Sequence, residues 1–297
     1  MRRWLTTIAL GGVTALALTA CGNPAGVDGD LTNNWAALGE AKIFVPAADT
    51  CHAEEGDGSL RSYKPIDCGQ SHKTETLYIG TFTGSATSRE SPPSNDSDEM
   101  RTARQECHTK VTEAVGGDWR GARLSLSVVL PSEQAWTGGA RWFRCDISEV
   151  ESLDDDDVVA RTSSVKGALS STSELAHTCF TPKLAGSALD SMTPVACTAK
   201  HRSEFVGIYT APDGTFDAMK ANSTQTHRQC LSVVASYAKV PNDGDLKYRA
   251  GTIYYYPSRS DWEAGERGIK CFVWVSSRDL TGSVKDAGTK GLPINYK

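Results

Sequence analysis

Apolar and polar positions follow two periods along this chain, and the switches between them mark its elements. From Asp98 to Val115, Met100, Ala103 or Arg104, Cys107, Val111 and Ala114 recur three and four apart, which is one helix face. Ser97 and Asp98 suit the N-cap, and Gly116-Gly117 stops the helix. A second helical run goes from about Asp217 to Ala238 through Met219, Ser223, Thr226, Cys230, Val233 or Val234 and Tyr237, with Pro241 just beyond. Leu124 to Leu130 and the β-branched and aromatic Thr252 to Tyr256 read as strands, as do Trp142 to Ile147 and Ile269 to Val275. Within Tyr254-Tyr255-Tyr256, alternation turns Tyr255 away from its two neighbours. Glu55 to Ser59 and Ala185 to Ser191 are polar turns, and Gly84 to Ser97, rich in Ser, Thr and Pro, is a long loop. The order is strand, strand, helix, strand, strand, twice. That predicts α+β units, each an antiparallel sheet with one packed helix.

The repetition is also written in the residues. Past Cys21, eight cysteines fall into two sets of four: Cys51, Cys68, Cys107 and Cys145, then Cys179, Cys197, Cys230 and Cys271. Cys68-x3-His72-x2-Glu75 recurs as Cys197-x3-His201-x2-Glu204. Pro131-Ser132-x3-Trp136-x8-Cys145, with Gly139 and Arg141 inside it, recurs without a gap as Pro257-Ser258-x3-Trp262-x8-Cys271, with Gly265 and Arg267. Two diverged copies of one domain are expected, over residues 46–150 and 174–276. Residues 151–173 hold Asp154-Asp155-Asp156-Asp157 followed by Ser and Thr, and read as a solvated connector rather than a calcium loop. Residues 277–297 read as a tail.

The first residues change the picture. Arg2 and Arg3 precede an uncharged, mostly apolar stretch that is too short to span a bilayer and ends in Leu18-Thr19-Ala20-Cys21. This resembles a bacterial lipobox. Residues 1–20 are then a lipoprotein signal peptide, Cys21 is the acylated mature N-terminus, and residues 21–45 are a flexible tether. Membrane lipid is thereby an expected partner, at ~0.8 kcal/mol per buried CH2. The formal charge of −5 becomes more acidic once Arg2 and Arg3 leave. No basic stripe appears, so nucleic acid is not an expected partner.

In an oxidising compartment, four cysteines per small domain form two disulfides. Three pairings are open to each set, and sequence alone does not choose among them. The arrangement expected is Cys51–Cys68, Cys107–Cys145, Cys179–Cys197 and Cys230–Cys271, each stabilising by roughly 3–4 kcal/mol in the chain-entropy view. A Cys3His zinc site, with His52, His72 or His108, is the rival. The wide spacings lack a Cys-x2-Cys knuckle, so no metal is expected.

His72 with Glu75 and His201 with Glu204 are the candidate sites. They form either a small polar ligand site in each copy, or a turn that ties loop backbone to a neighbour. Arg141 and Arg267 are expected to complete the network by pairing with Glu75 and Glu204. Trp136 and Trp262 are expected as core plugs. There is no nucleophile elbow, His-Glu-x-x-His, P-loop or dinucleotide fingerprint, so no catalytic residue and no cofactor is assigned.

The Cys-x3-His-x2-Glu blocks with Gly80 and Gly207, and the approximate Pro-to-Cys steps Pro65 to Cys68 and Pro194 to Cys197, resemble the actinobacterial septum-formation domain family, in two tandem copies. Ser71 and Lys200 replace the proline usual before the histidine. The resemblance implies a lipid-anchored or membrane-anchored protein near the division septum. The expected function is a non-enzymatic binding or scaffolding lipoprotein on the outer face of the cell membrane, with cell-wall or division proteins as partners. An enzyme or accessory factor of envelope metabolism using the His/Glu sites, or a sensor or inhibitor lipoprotein, is the alternative.

Overall fold

The computed structural model describes residues 42–186 and 188–296. The signal segment, the lipobox ending in Cys21 and most of the tether lie outside the described residues. Strands β1 (Thr50–His52), β2 (Pro65–Ile66), β3 (Thr74–Thr81), β4 (Leu124–Val129) and β5 (Trp142–Val150) form an antiparallel sheet in the order β2-β1-β3-β5-β4, and β6 (Val158–Val159) pairs with the end of β5. Strands β7 (Cys179–Ala185), β8 (Ala188–Val195), β9 (Ser203–Thr210), β10 (Gly251–Tyr255) and β11 (Gly268–Trp274) form a second sheet, β10-β11-β9-β7-β8. Read from its other edge, the second order is that of the first. Registers agree as well: Cys51 lies opposite Glu75 as Cys179 lies opposite Glu204, and Cys145 opposite Val128 as Cys271 opposite Tyr254.

Helix α1 (Asp98–Val115) lies on the first sheet, capped by Ser97, whose Oγ accepts from the Met100 amide, and ended by Gly116 in the left-handed region. The single helix expected over 217–238 is two, α3 (Phe216–Ala221) and α4 (Ser223–Ala238). Asn222 leaves helical geometry between them, and its carbonyl accepts from the Gln225 and Thr226 amides to start α4. Asn, Ser and Thr are weak helix formers and compete for backbone bonds, so the apolar period outlasts the helix itself. Two short helices were not legible: α2 (Glu133–Thr137) and α5 (Arg259–Glu263), capped by Ser132 and Ser258. They seat Trp136 and Trp262, almost wholly buried, whose indole N–H groups donate to the Arg89 and Gly214 carbonyls at 2.9 and 2.7 Å.

The disulfides are Cys51–Cys68, Cys107–Cys145, Cys179–Cys197 and Cys230–Cys271. The first and third tie neighbouring strands. The second and fourth pin the long helices to β5 and β11 beneath them.

Three segments differ from the solvated chain that their composition suggests. The connector is largely structured: Asp154 accepts from the Met192 amide at 2.7 Å, Arg161 bridges to His72, and Val165 is buried in the first core. The tail closes the second core, burying Leu280, Val284 and Leu292. The end of the tether docks too, with the Phe44 carbonyl accepting from the Trp142 indole at 3.1 Å and the Phe44 ring 4.9 Å from Tyr63. In each, a few apolar anchors outweigh a polar average.

From Ile43 onward the chain is one unit. Backbone bonds join its halves, with the Arg123 amide donating to Leu175 O and the His177 amide to Gly121 O, both at 2.8 Å. Ion pairs Arg104–Asp261 (2.8 Å) and Arg120–Glu266 (3.1 Å) add to the junction. The sheet faces turned away from the long helices differ sharply. In the first half, β1, β3 and β5 present His52, Thr76, Asp146 and Arg144. The matching positions of β7, β9 and β11 are Phe180, Phe205, Phe272 and Lys270.

Candidate functional site

Glu75 and Glu204 stand on the central strands β3 and β9 and are each only 2% exposed. What meets them is the segment that follows each half. Glu75 Oε2 accepts from Ser164 Oγ at 2.6 Å, and its Oε1 from the Val165 amide at 2.7 Å. Glu204 accepts from Ser283 Oγ and, at 2.7 Å, from the Val284 amide. Backbone bridges His72 to Arg161 and His201 to Leu280 hold the same straps three residues earlier. Each carboxylate thus fastens a Ser-Val-Lys strap whose valine enters the core, and the serine hydroxyl also accepts from the lysine amide. The straps are a further repeated block, Ser164-Val165-Lys166 and Ser283-Val284-Lys285, that the sequence reading missed.

The histidines differ. His72 lies with Nδ1 2.8 Å from Gln70 O and Nε2 3.2 Å from Glu75 Oε1, so both ring nitrogens face acceptors. His201 keeps the first contact, with Ala199 O at 2.8 Å, but its Nε2 has no hydrogen-bond partner among the described residues. Tyr237 has taken its place and donates to Glu204 Oε1 at 2.6 Å. Burial, together with that carboxylate, pushes the Tyr237 hydroxyl above its usual pKa. Desolvated carboxylates with their lone pairs filled by chain donors act as latches. To serve as general bases they would have to release a strap first.

Arg141 and Arg267 do not reach these carboxylates, contrary to expectation. Each lies over the tryptophan of its own block, 4.2 Å from the Trp136 ring and 4.3 Å from the Trp262 ring, and donates to that tryptophan's carbonyl. The repeated glycine explains the geometry. Gly139 and Gly265 hold φ of +99° and +103°, turning the chain sharply after α2 and α5 so that the arginine folds back over the indole. The Pro-Ser-x3-Trp-x2-Gly-x-Arg block is therefore a packing unit.

Cys51, His72 and Glu75, and likewise Cys179, Cys197 and Glu204, hold potential ligand atoms within 4.8 Å of one another. These sulfurs are half-cystines and have no thiolate to offer a metal.

A family model described as Septum formation matches residues 48–271. The chain belongs to the septum-formation family. A single match runs through both halves, so septum-formation membership attaches to the pair of sheets together. No curated protein and no solved structure matches the chain.

Proposed function

We propose that this septum-formation protein is a non-enzymatic lipoprotein, held on the outer face of the cell membrane by acylated Cys21, that binds or scaffolds cell-wall or division proteins at the septum. The observation that carries this reading is the fully paired set of eight cysteines in two similar sheets. Such a framework suits an oxidising, extracytoplasmic compartment, and the lipobox spacing supplies the route there. The similar sheets, disulfides and straps support descent from one duplicated domain. The buried His/Glu pairs are occupied by the chain's own straps, which favours binding over chemistry at those positions.

The test is fractionation and mass spectrometry of the wild-type chain beside Cys21→Ser, with a fluorescent fusion followed through division. The reading expects an acylated Cys21 N-terminus, membrane retention that Cys21→Ser abolishes, and signal concentrated at the septum. A mature N-terminus without acyl mass, or an even distribution around the cell, would overturn it.

A further inference from the structure

The repeat supplies an internal control for one cation. On β5, Arg144 is 2% exposed and meets the Asp146 carboxylate, two residues on, at 2.9 and 2.7 Å. On β11 the matching cation is Lys270, and the position of the acid is taken by Phe272. Among the described residues, no carboxylate lies within ion-pair distance of Lys270 and no acceptor bonds it. Burial holds its ammonium below the usual lysine pKa, against the more distant pull of Glu266, Asp261 and Asp118. Lys270 is half-buried rather than enclosed, so a small anionic group can reach its ammonium.

Lys270 lines a cavity of about 500 Å3 at the junction of the two halves. That volume falls in the range of small-molecule sites. Trp119, Leu126 and Leu153 give it apolar wall. The other two cations of its lining, Arg104 and Arg120, already pair with Asp261 and Glu266. Asp154, Asp156 and Asp190 also line it. Tyr255 lies directly opposite Lys270 in the strand register, and its hydroxyl donates to Asp154 at 2.5 Å. An unpaired cation, a group of carboxylates and an apolar wall thus line one cavity. An extended dipeptide, at ~3.3–3.6 Å per residue, is small enough for that volume.

We propose that the cavity between the halves binds a small zwitterionic ligand of dipeptide size, its carboxylate on Lys270, its ammonium among Asp154 and Asp156, and its apolar side chains against Leu126, Leu153 and Trp119. The aspartates disfavour a phosphate or dicarboxylate, and Lys270 disfavours a simple amine. The proposal concerns the folded body and does not depend on lipidation or septal placement.

The experiment is calorimetric titration of the full disulfide-bonded protein with free dipeptides of apolar residues, alanyl-alanine and leucyl-alanine, beside their N-acetyl and C-amide forms. The free dipeptides should bind one per chain. Capping either end, or Lys270→Met, should weaken binding about tenfold or more, the loss of one charge-assisted pairing. Without ligand, Lys270→Met should melt no lower than wild type, because it removes an unpaired charge. Should that variant misfold, exposed Asp156→Asn carries the test: it should weaken the free dipeptide and leave the N-acetyl form unchanged. Absence of binding by free dipeptides at millimolar concentration, equal binding of the C-amides, or unchanged affinity in folded Lys270→Met or Asp156→Asn would overturn the proposal.

Discussion

The two sheets share strand order, disulfides, tryptophan blocks and straps, yet their faces opposite the long helices are opposite in character. The first carries a polar chain: the Thr76 hydroxyl donates to Asp146 at 2.8 Å, His52 Nε2 stands 3.3 Å from that hydroxyl, and Arg144 closes on Asp146. The loop through Gly56 covers the Arg144 guanidinium. The second carries Phe272 at the centre of an aromatic cluster, its ring 5.5 Å from Phe180, 5.4 Å from Phe205 and 5.7 Å from Tyr255. The difference follows from what covers each face. The first is roofed by its own loop. The second has Gly121 of the first half against Phe205, and Leu153 against the cluster. One backbone plan thus serves as a self-contained sheet in one half and as a docking surface in the other. That is why the halves form one unit instead of two beads on a string.

The comparison breaks most severely where the polar face loses its acid. Asp146→Ala should leave Arg144 buried without a partner and cost about 3–5 kcal/mol in urea unfolding, whereas Lys270, unpaired already, should show no such penalty on replacement by Met. A cost below about 1 kcal/mol would show that the polar chain is not what holds this face.

Acid should come next. Burial, aided by Arg144, holds His52 down to about 4, and burial, aided by Lys270 and Arg123, holds His177 down to about 3. Both fold neutral, whereas the unfolded chain takes up protons near pH 6.5. Stability is therefore full above about 6.5 and falls as pH drops, through the window to about 4 for His52 and to about 3 for His177, by an amount on the order of 3 kcal/mol or more per histidine. His177 packs against Phe180, Phe205 and Phe272. His177→Phe should flatten part of that fall, and melting temperature against pH reads it out. An unchanged slope would remove His177 from the account.

Weakening the latches should cost less. Glu75→Gln and Glu204→Gln keep shape but lose charge on bonds to a hydroxyl and an amide, for about 1–3 kcal/mol each in unfolding. The smallest effect should be Tyr237→Phe, about 1 kcal/mol, since it removes one hydroxyl from Glu204 while the strap stays tied. If Tyr237→Phe cost more than Glu204→Gln, the strap would not be the carboxylate's main partner.

The parts legible in the sequence are those with fixed spacing. The Pro-Ser-to-Cys block is ungapped because a short helix, a left-handed glycine and an arginine over an indole tolerate no insertion. The Cys-x3-His-x2-Glu block is fixed by strand register. The straps escaped notice because the chain between the fourth cysteine and Ser-Val-Lys differs in length between halves. In the first half it also carries the acidic run, whose charge hides Val158, Val159 and Val165. The aromatic docking face was invisible for another reason. Phe180, Phe205 and Phe272 stand one residue after Cys179, Glu204 and Cys271, and only the strand pairing shows that they share a face. Arg141 and Arg267 were placed correctly in the repeat and wrongly in space, because pairing by charge overlooked the indole beside them.

The straps' amides report on the whole arrangement. Native-state hydrogen exchange at Val165 and Val284 should show both protected to nearly the free energy of global unfolding, and exchanging together as one cooperative body. Exchange at Val165 at the rate of an open connector, with Val284 still protected, would contradict the account.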